Sequence, residues 1–420
     1  MNPPTRAEQL RHSGVQVLSR GRALARTGLH TVRGRLTERS LARKFAPRAS
    51  DSFTAALYFA GDSGSTYQLR EWLWPIEQLA ARLTSEKYGP APVAIFCRHA
   101  EHAEQVSRLT GLPVRFGRLA RDLDSFMTQR SLRTVFYVNQ AQLNFQGLRY
   151  TQPAHVHLSH GESEKVSMIS NQLKAYDYVF TAGEAARHRI LSALPDYTEQ
   201  GGEHRMLDVG RPQLDAPRQA PQAWQEMLTD KRLTVFYAPT WEGDSPAMAY
   251  GTIRHNGPKT VQLLLDAGCR VIARPHPRTG FLDVASAHAM AEVRRITEGH
   301  PRGYFDDDPR IGWQLDAASI CLTEMSALAF DWLSTGKPIL LIQPATDVAD
   351  ILPGGLFTRV PHVGPLDPEV IVESVLSAAQ TGPGPDVPAA QQHYLGDTSP
   401  GAQQRRFEDA TLTVIARRTH

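Results

Sequence analysis

The chain has 420 residues, 46 Lys+Arg against 43 Asp+Glu, and 41% apolar residues. That length predicts two or three domains and a core large enough to need no disulfide staple. With 21% charged and 8% aromatic residues, the composition excludes a disordered, collagenous or integral-membrane class.

The net charge of +3 is unevenly distributed. Residues 1–50 carry eleven Arg/Lys and two acids, a net +9, while the remaining 370 carry 35 basic and 41 acidic side chains. Sparse apolar residues lie among these arginines: Leu10, Val15, Val17, Leu18, Leu24, Leu29, Val32, Leu36, Leu41 and Phe45. Some recur at helical spacing, interrupted by Gly14, Gly21, Gly28 and Gly34. A basic, weakly amphipathic helix of this kind reads as an anchor on an anionic membrane surface. The plainer reading is a basic tail. Almost no aromatic residue is present to stack on bases, so no nucleic acid is expected as a partner. No apolar run reaches the 18 residues that spanning a bilayer requires. No apolar core precedes a small-residue cleavage site, so no secretory signal is expected. Cys97, Cys269 and Cys321 lie far apart in strand-like contexts, which predicts reduced core residues in a cytosolic protein.

From Phe53 the pattern becomes short apolar strands alternating with amphipathic helices. Strands are predicted at 53–59, 93–97, 114–116, 135–138, 155–158, 178–181 and 206–209, with helices such as 67–83, 100–109 and 184–194 between them. A Pro/Gln-rich stretch at 212–221 reads as an interdomain linker. The alternation restarts with strands 233–237, 270–273, 295–296, 320–322 and 338–342 and helices 257–267, 284–292 and 326–334. A second Pro/Gly stretch, 381–388, precedes a final helix over 403–415. The pattern predicts an α/β protein of two Rossmann-like domains facing a cleft, with parallel sheets covered on both faces. The divisions are a basic segment 1–50, domains 51–215 and 216–400, and a C-terminal helix 401–420 packing back on the first domain.

In such sheets ligands bind beyond the carboxyl ends of the strands. Four strand ends are polar. Ser159-His160-Gly161 follows the fifth strand, and His160 could accept a proton from an attacking hydroxyl. The plainer reading is a satisfied histidine at a tight turn. His155 and His157 alternate along that strand and read as structural. Pro239-Thr240-Trp241 offers a hydroxyl and an aromatic platform. In Arg274-Pro275-His276-Pro277 the prolines fix the backbone around the imidazole, and Arg274 could supply charge to a phosphate. Thr323-Glu324-Met325-Ser326 runs straight into a helix, whose start favours anions; capping alone also explains Thr323 and Ser326. Asp306-Asp307-Asp308 points its carboxylates in different directions, and His99 and His102 read as surface residues, so no metal site is expected. No phosphate-loop, nucleophile-elbow or zinc signature is present.

Taken in order, His160-Gly161 with Lys165, Gly210-Arg211-Pro212 with Asp215, Tyr237-Ala238-Pro239-Thr240-Trp241, Arg274-Pro275-His276-Pro277, and Thr323-Glu324-Met325-Ser326 through Phe330-Asp331 to Thr335-Gly336-Lys337-Pro338 form a series. Over roughly residues 155–343 this series resembles the CDP-glycerol glycerophosphotransferases, the teichoic-acid primases and polymerases and related capsule enzymes. The resemblance implies a two-domain fold of the glycosyltransferase-B (GT-B) type at the inner face of the cell membrane. It implies transfer of a polyol phosphate, glycerol phosphate first, from a CDP-activated donor to a lipid-linked or polymeric glycan acceptor, with release of CMP and without a cofactor. His160 would then be the base and His276 would contact the donor phosphates. Arg274, Thr240, Thr323, Glu324 and Ser326 would hold the donor, supported by Gly161, Lys165, Arg211, Asp215 and Trp241. The family often has Asp-Tyr-Ser-Ser where this chain has Glu324-Met325-Ser326-Ala327, and Thr-Pro where it has Glu162-Ser163. Donor alcohol and acceptor therefore stay open. Two rivals are a nucleotide-sugar glycosyltransferase of the same fold and a non-catalytic membrane-bound scaffold.

Overall fold

The computed structural model describes residues 39–61, 65–159, 161–164, 169–308 and 312–418. Two wholly parallel sheets organise them. The first holds β1 (Ala55–Phe59), β2 (Val93–Cys97), β3 (Val114–Phe116), β4 (Thr134–Tyr137), β5 (Ala154–His157), β6 (Tyr178–Thr181) and β7 (Met206–Asp208). The second holds β8 (Thr234–Ala238), β9 (Arg270–Ala273), β10 (Gly303–Phe305), β11 (Ile320–Thr323), β12 (Ile339–Ile342) and β13 (His362–Val363). Their orders are β3-β2-β1-β4-β5-β6-β7 and β10-β9-β8-β11-β12-β13. Each is doubly wound from its first strand, so the order reverses between β1 and β4 and again between β8 and β11. Those reversals are the places where such sheets open a crevice for ligands.

The strands are apolar on both faces because both faces are covered. In β1, Ala55, Leu57 and Phe59 point into one core, and Ala56 and Tyr58 into another on the opposite face. In β8, Val235 and Tyr237 separate from Phe236 and Ala238 in the same way. Cys97, Cys269 and Cys321 are free and buried in these cores.

Seven helices bear on the site: α1 (Thr66–Glu71), α2 (Ala120–Met127), α3 (Ile253–Asp266), α4 (Val284–Glu298), α5 (Ala327–Leu333), α6 (Asp386–Leu395) and α7 (Ala402–Ala416). Helix α4 covers the 295–296 segment predicted as a strand; the strand lies further on, at β10. Val293 and Thr297, four residues apart on one helix face, are both fully buried, so the helical period continues past Glu292. Helix α6 begins inside the second Pro/Gly stretch, 381–388. His102, read as a surface residue, is buried with its ring 5.2 Å from that of Phe59.

The chain crosses between the sheets twice. After β7 it passes to the second unit, and α7 returns to the first. Phe407, Val414 and Ile415 of α7 belong to the core of β1, β2 and β4. Phe407 meets Trp72 at 5.4 Å and Phe136 at 5.7 Å between ring centroids. Asp215 caps this helix by accepting from the backbone N–H of Gln404 at 2.7 Å. At the other end of the chain, residues 39–44 form a helical turn that packs on the first unit. Leu41 and Phe45, counted above on the apolar face of a surface anchor, are buried in its core. The rest of the basic segment, residues 1–38, lies outside the described residues. Among the described residues no helix is long and apolar enough to cross a membrane.

Candidate active site at the facing strand ends

At the reversal in the second sheet, the loops after β8 and β11 are tied together by one carboxylate. Glu324 is fully buried and accepts from the Thr240 N–H at 2.5 Å, the Thr252 N–H at 3.0 Å and the Thr252 hydroxyl at 2.6 Å. The Thr323 hydroxyl, also fully buried, donates to the Ala238 carbonyl at 2.7 Å. Both residues were predicted to touch donor phosphates. They instead fix the loops that frame the crevice, because buried polar groups at a parallel strand end find partners on the neighbouring strand.

Thr240 and Ser326 behave differently. Both are buried, at 1% and 7% exposure, and both hydroxyl oxygens lack a partner among the described residues. Ser326 stands in extended conformation just before α5 without capping it. Two desolvated hydroxyls without partners, on the two loops that flank the reversal, are positioned for a polar ligand.

The loop after β9 lies alongside. The His276 N–H donates to the Pro239 carbonyl at 3.0 Å. Its ring stacks on Trp241, with centroids 6.1 Å apart and planes 21° apart. The His276 Nδ1 accepts from the Arg278 N–H at 3.1 Å. A neutral ring held this way carries its proton on Nε2 and acts there as a donor. The Arg278 guanidinium lies 4.0 Å from the Trp241 ring centroid. Arg274 is anchored at 2.7 Å to the buried Asp306, which also accepts from Gln314. Asp306 therefore serves as the counter-charge of Arg274. Among the described residues no group of His, Cys, Asp and Glu is arranged to hold a metal ion.

From the first unit, the loop after β5 approaches the same place. A Cβ added at Gly161 would stand 3.2 Å from the Ala327 Cβ, so glycine allows this close approach to the start of α5. Ser159 holds the left-handed conformation at φ 62°, uncommon for a residue with a side chain. Its carbonyl accepts from the Trp72 indole at 2.7 Å. Glu162 is paired with Arg189. Glu164 accepts from the Leu356 N–H at 3.1 Å and from the Tyr394 hydroxyl, spanning the two units. His160 and Lys165 lie outside the described residues.

Beneath these loops Arg211 joins the units. Buried at 6% exposure, it pairs with Asp331 of α5 through Nε at 3.0 Å and Nη2 at 3.2 Å, and with Glu71 of α1 at 3.7 Å. Arg211 and Asp215 thus position helices α5 and α7. Burial pushes the Glu71 carboxyl up to about 7, against the pull of Arg211; Asp331 adds to the rise and Arg274 opposes it. Glu71 belongs to none of the sequence motifs. It becomes part of the site only because the two units close on each other.

A narrow space adjoins the loop after β5, walled by Trp72, Leu158, Ile190 and Arg211 among others. Its walls are mainly apolar, whereas the polar groups converge at the β8 and β11 loops.

The chain matches no protein-family model and no curated relative. Solved structures share its fold. A protein described as a UDP-N-acetylglucosamine 2-epimerase from Listeria monocytogenes aligns with a TM-score of 0.56 at 12% identity, over 87% of this chain and 98% of that one. MnaA from S. aureus with UDP aligns at 0.54 and 13%, over 87% and 98%. The wall teichoic acid polymerase TagF aligns at 0.53 and 14%, over 96% and 99%. The fold is therefore the two-Rossmann, GT-B-like arrangement that these enzymes share.

Proposed function

We propose that the protein transfers a polyol phosphate, glycerol phosphate first, from a CDP-activated donor to a hydroxyl of a lipid-linked or polymeric glycan, releasing CMP. The observation that supports this reading best is the meeting of Gly161, from one unit, with the start of α5 beside Ser326, from the other. Among the described residues, contacts link Gly161 to Ala327, Arg211 to Asp331, Thr240 to Glu324 and His276 to Pro239, which lends support to the motif series. The likeness to TagF, and to a variant of it soaked with CDPG at a TM-score of 0.52 and 12% identity, is consistent with it.

Phosphoryl transfer demands positioning and charge neutralisation more than covalent chemistry. The acceptor hydroxyl oxygen attacks the phosphorus that carries the polyol. The bond from that phosphorus to the bridging oxygen breaks, and CMP leaves with that oxygen. His160 takes the hydroxyl proton. His276, with Nε2–H as donor, and Arg274 stabilise the charge developing on CMP. Thr240 and Ser326 donate to the phosphate oxygens. The basic segment holds the body at an anionic membrane surface.

A thermal-shift panel of CDP-glycerol, CDP-ribitol, CMP and UDP-sugars tests this. A ligand at 100 times its dissociation constant stabilises by about 2.7 kcal/mol. CDP-alcohols should raise the melting temperature and release CMP on turnover. A rise with UDP-sugars alone would favour the second reading, a nucleotide-sugar enzyme, to which the fold shared with the epimerase gives weight. Binding of none of them would favour a scaffold.

A further inference from the structure

Beneath the loop after β5, two carboxylates from opposite units share one cation. Arg211 gives its Nε and Nη2 to Asp331 of α5 at 3.0 and 3.2 Å and stands 3.7 Å from Glu71 of α1. That last separation is longer than a hydrogen bond. The Glu71 side chain is 28% exposed, but its Oε2 is desolvated and has no hydrogen-bond partner among the described residues.

With both carboxyls ionised, one guanidinium faces two negative charges. Arg211 cannot lose its proton, so only a carboxyl can relieve the imbalance. Asp331 holds two donor nitrogens of Arg211, and Glu71 holds none at hydrogen-bond length. Glu71 is therefore the carboxyl that takes a proton most readily. Burial pushes it up to about 7 against the pull of Arg211; Asp331 adds to the rise, and Arg274 opposes it. These three, from the β7 loop, α5 and the β9 loop, are the charged groups facing Glu71 across the junction.

The cluster reaches the crevice through α5. Asp331 lies four residues after Ala327, about one helical turn from the start of α5. Ser326, with its unpartnered hydroxyl, immediately precedes that start. A Cβ added at Gly161 would stand 3.2 Å from the Ala327 Cβ and 3.9 Å from the Arg211 Nη1. Only a loop and a helical turn thus separate the cluster from the crevice. A phosphate at Ser326 and Arg274 would act on Glu71 from roughly 10 Å, through protein where charges are weakly screened. It would pair with Arg274, whose charge otherwise favours the ionised carboxyl, and add negative charge of its own. Both effects favour the protonated carboxyl.

We propose that Glu71 takes up a proton from solvent when the phosphates of a nucleotide donor settle in the crevice and returns it when they leave, so that its charge sets donor affinity. This rests on the transferase reading above and deepens it. Glu71 is a positioning residue, acting through Arg211 and Arg274.

The test titrates the full chain by calorimetry with CDP-glycerol and with a UDP-sugar, whose diphosphate diesters hold a constant charge near neutral pH. Measured near pH 7.5 in two buffers of different ionisation enthalpy, the wild type should take up a large fraction of a proton per ligand. Its affinity should fall about 10-fold from pH 6 to pH 8.5. The sign follows from the ligand raising a carboxyl that is already raised: the added affinity is full at low pH and is lost as pH rises past 7. Glu71→Gln, fixed in the neutral form, should lose the uptake and keep within about 3-fold of its pH 6 affinity at pH 8.5. Glu71→Asp should restore the pH dependence. A slope supplied by His276 would persist in Glu71→Gln. A slope that Glu71→Gln leaves unchanged, or wild-type binding without proton uptake, overturns the proposal and leaves the donor reading intact. Glu71-dependent uptake with the UDP-sugar alone retains the proposal and overturns the CDP-donor reading. Binding of neither ligand overturns both. Glu71→Met, also neutral, gives the same readings if Glu71→Gln does not fold.

Discussion

At the residue scale, adjacent side chains at one strand end divide their work. Glu324 and Ser326 are two positions apart, yet one carboxylate is fully engaged inside the protein while the other's hydroxyl has no partner among the described residues. Glu324→Ala should lower unfolding free energy by about 2–4 kcal/mol in a denaturant titration, because two backbone N–H groups and a hydroxyl lose their buried acceptor. Ser326→Ala should stay within about 0.5 kcal/mol of the wild type. It should weaken CDP-ligand binding about 10-fold, the size of one hydrogen bond to a charged group. Glu71 gives a pH signature. Its folded pKa, about 7, exceeds its ordinary value, so between roughly pH 4.5 and 7 the folded state binds more protons than the unfolded one. The contribution is therefore fully present below about pH 4.5 and is lost as pH rises through 7. Glu71→Gln should narrow the difference in melting temperature between pH 5 and pH 8. The sequence told which strand ends are polar, but not which of their side chains face the crevice. The partners that engage Glu324 lie 84 and 72 residues away, and no local pattern encodes those distances.

At the element scale, the strands were legible because doubly covered strands are short apolar runs bounded by polar turns. Elements with weaker signals were not. β13 has two residues, and α6 follows two prolines and two glycines and is held by packing of Tyr394 and Leu395 into the second core. Helix α7 shows what tertiary packing adds. Phe407 packs on rings from β4, β6 and the turn at Trp72, so Phe407→Ala should cost about 3–5 kcal/mol in the same denaturant titration.

At the scale of the whole molecule, the charge split acquires a boundary. Leu41 and Phe45 are committed to the core, so their apolar side chains are not available to a membrane surface. Residues 1–38 carry seven arginines and two glutamates. Their removal should release the protein from anionic vesicles in a flotation assay and leave its melting temperature unchanged. Removal of residues 1–50 should also destabilise it.

The return of α7 has a consequence for how the protein is made. Domains commonly fold in turn as they leave the ribosome, the first before the second is finished. Here the core around β1 is incomplete until residues 402–416 have emerged, more than 300 residues after β1 itself. The first unit must wait, partly open, through the synthesis of the second. A stop codon just before α7 should therefore yield a chain in which the earliest-made unit, not the last, is the one that aggregates.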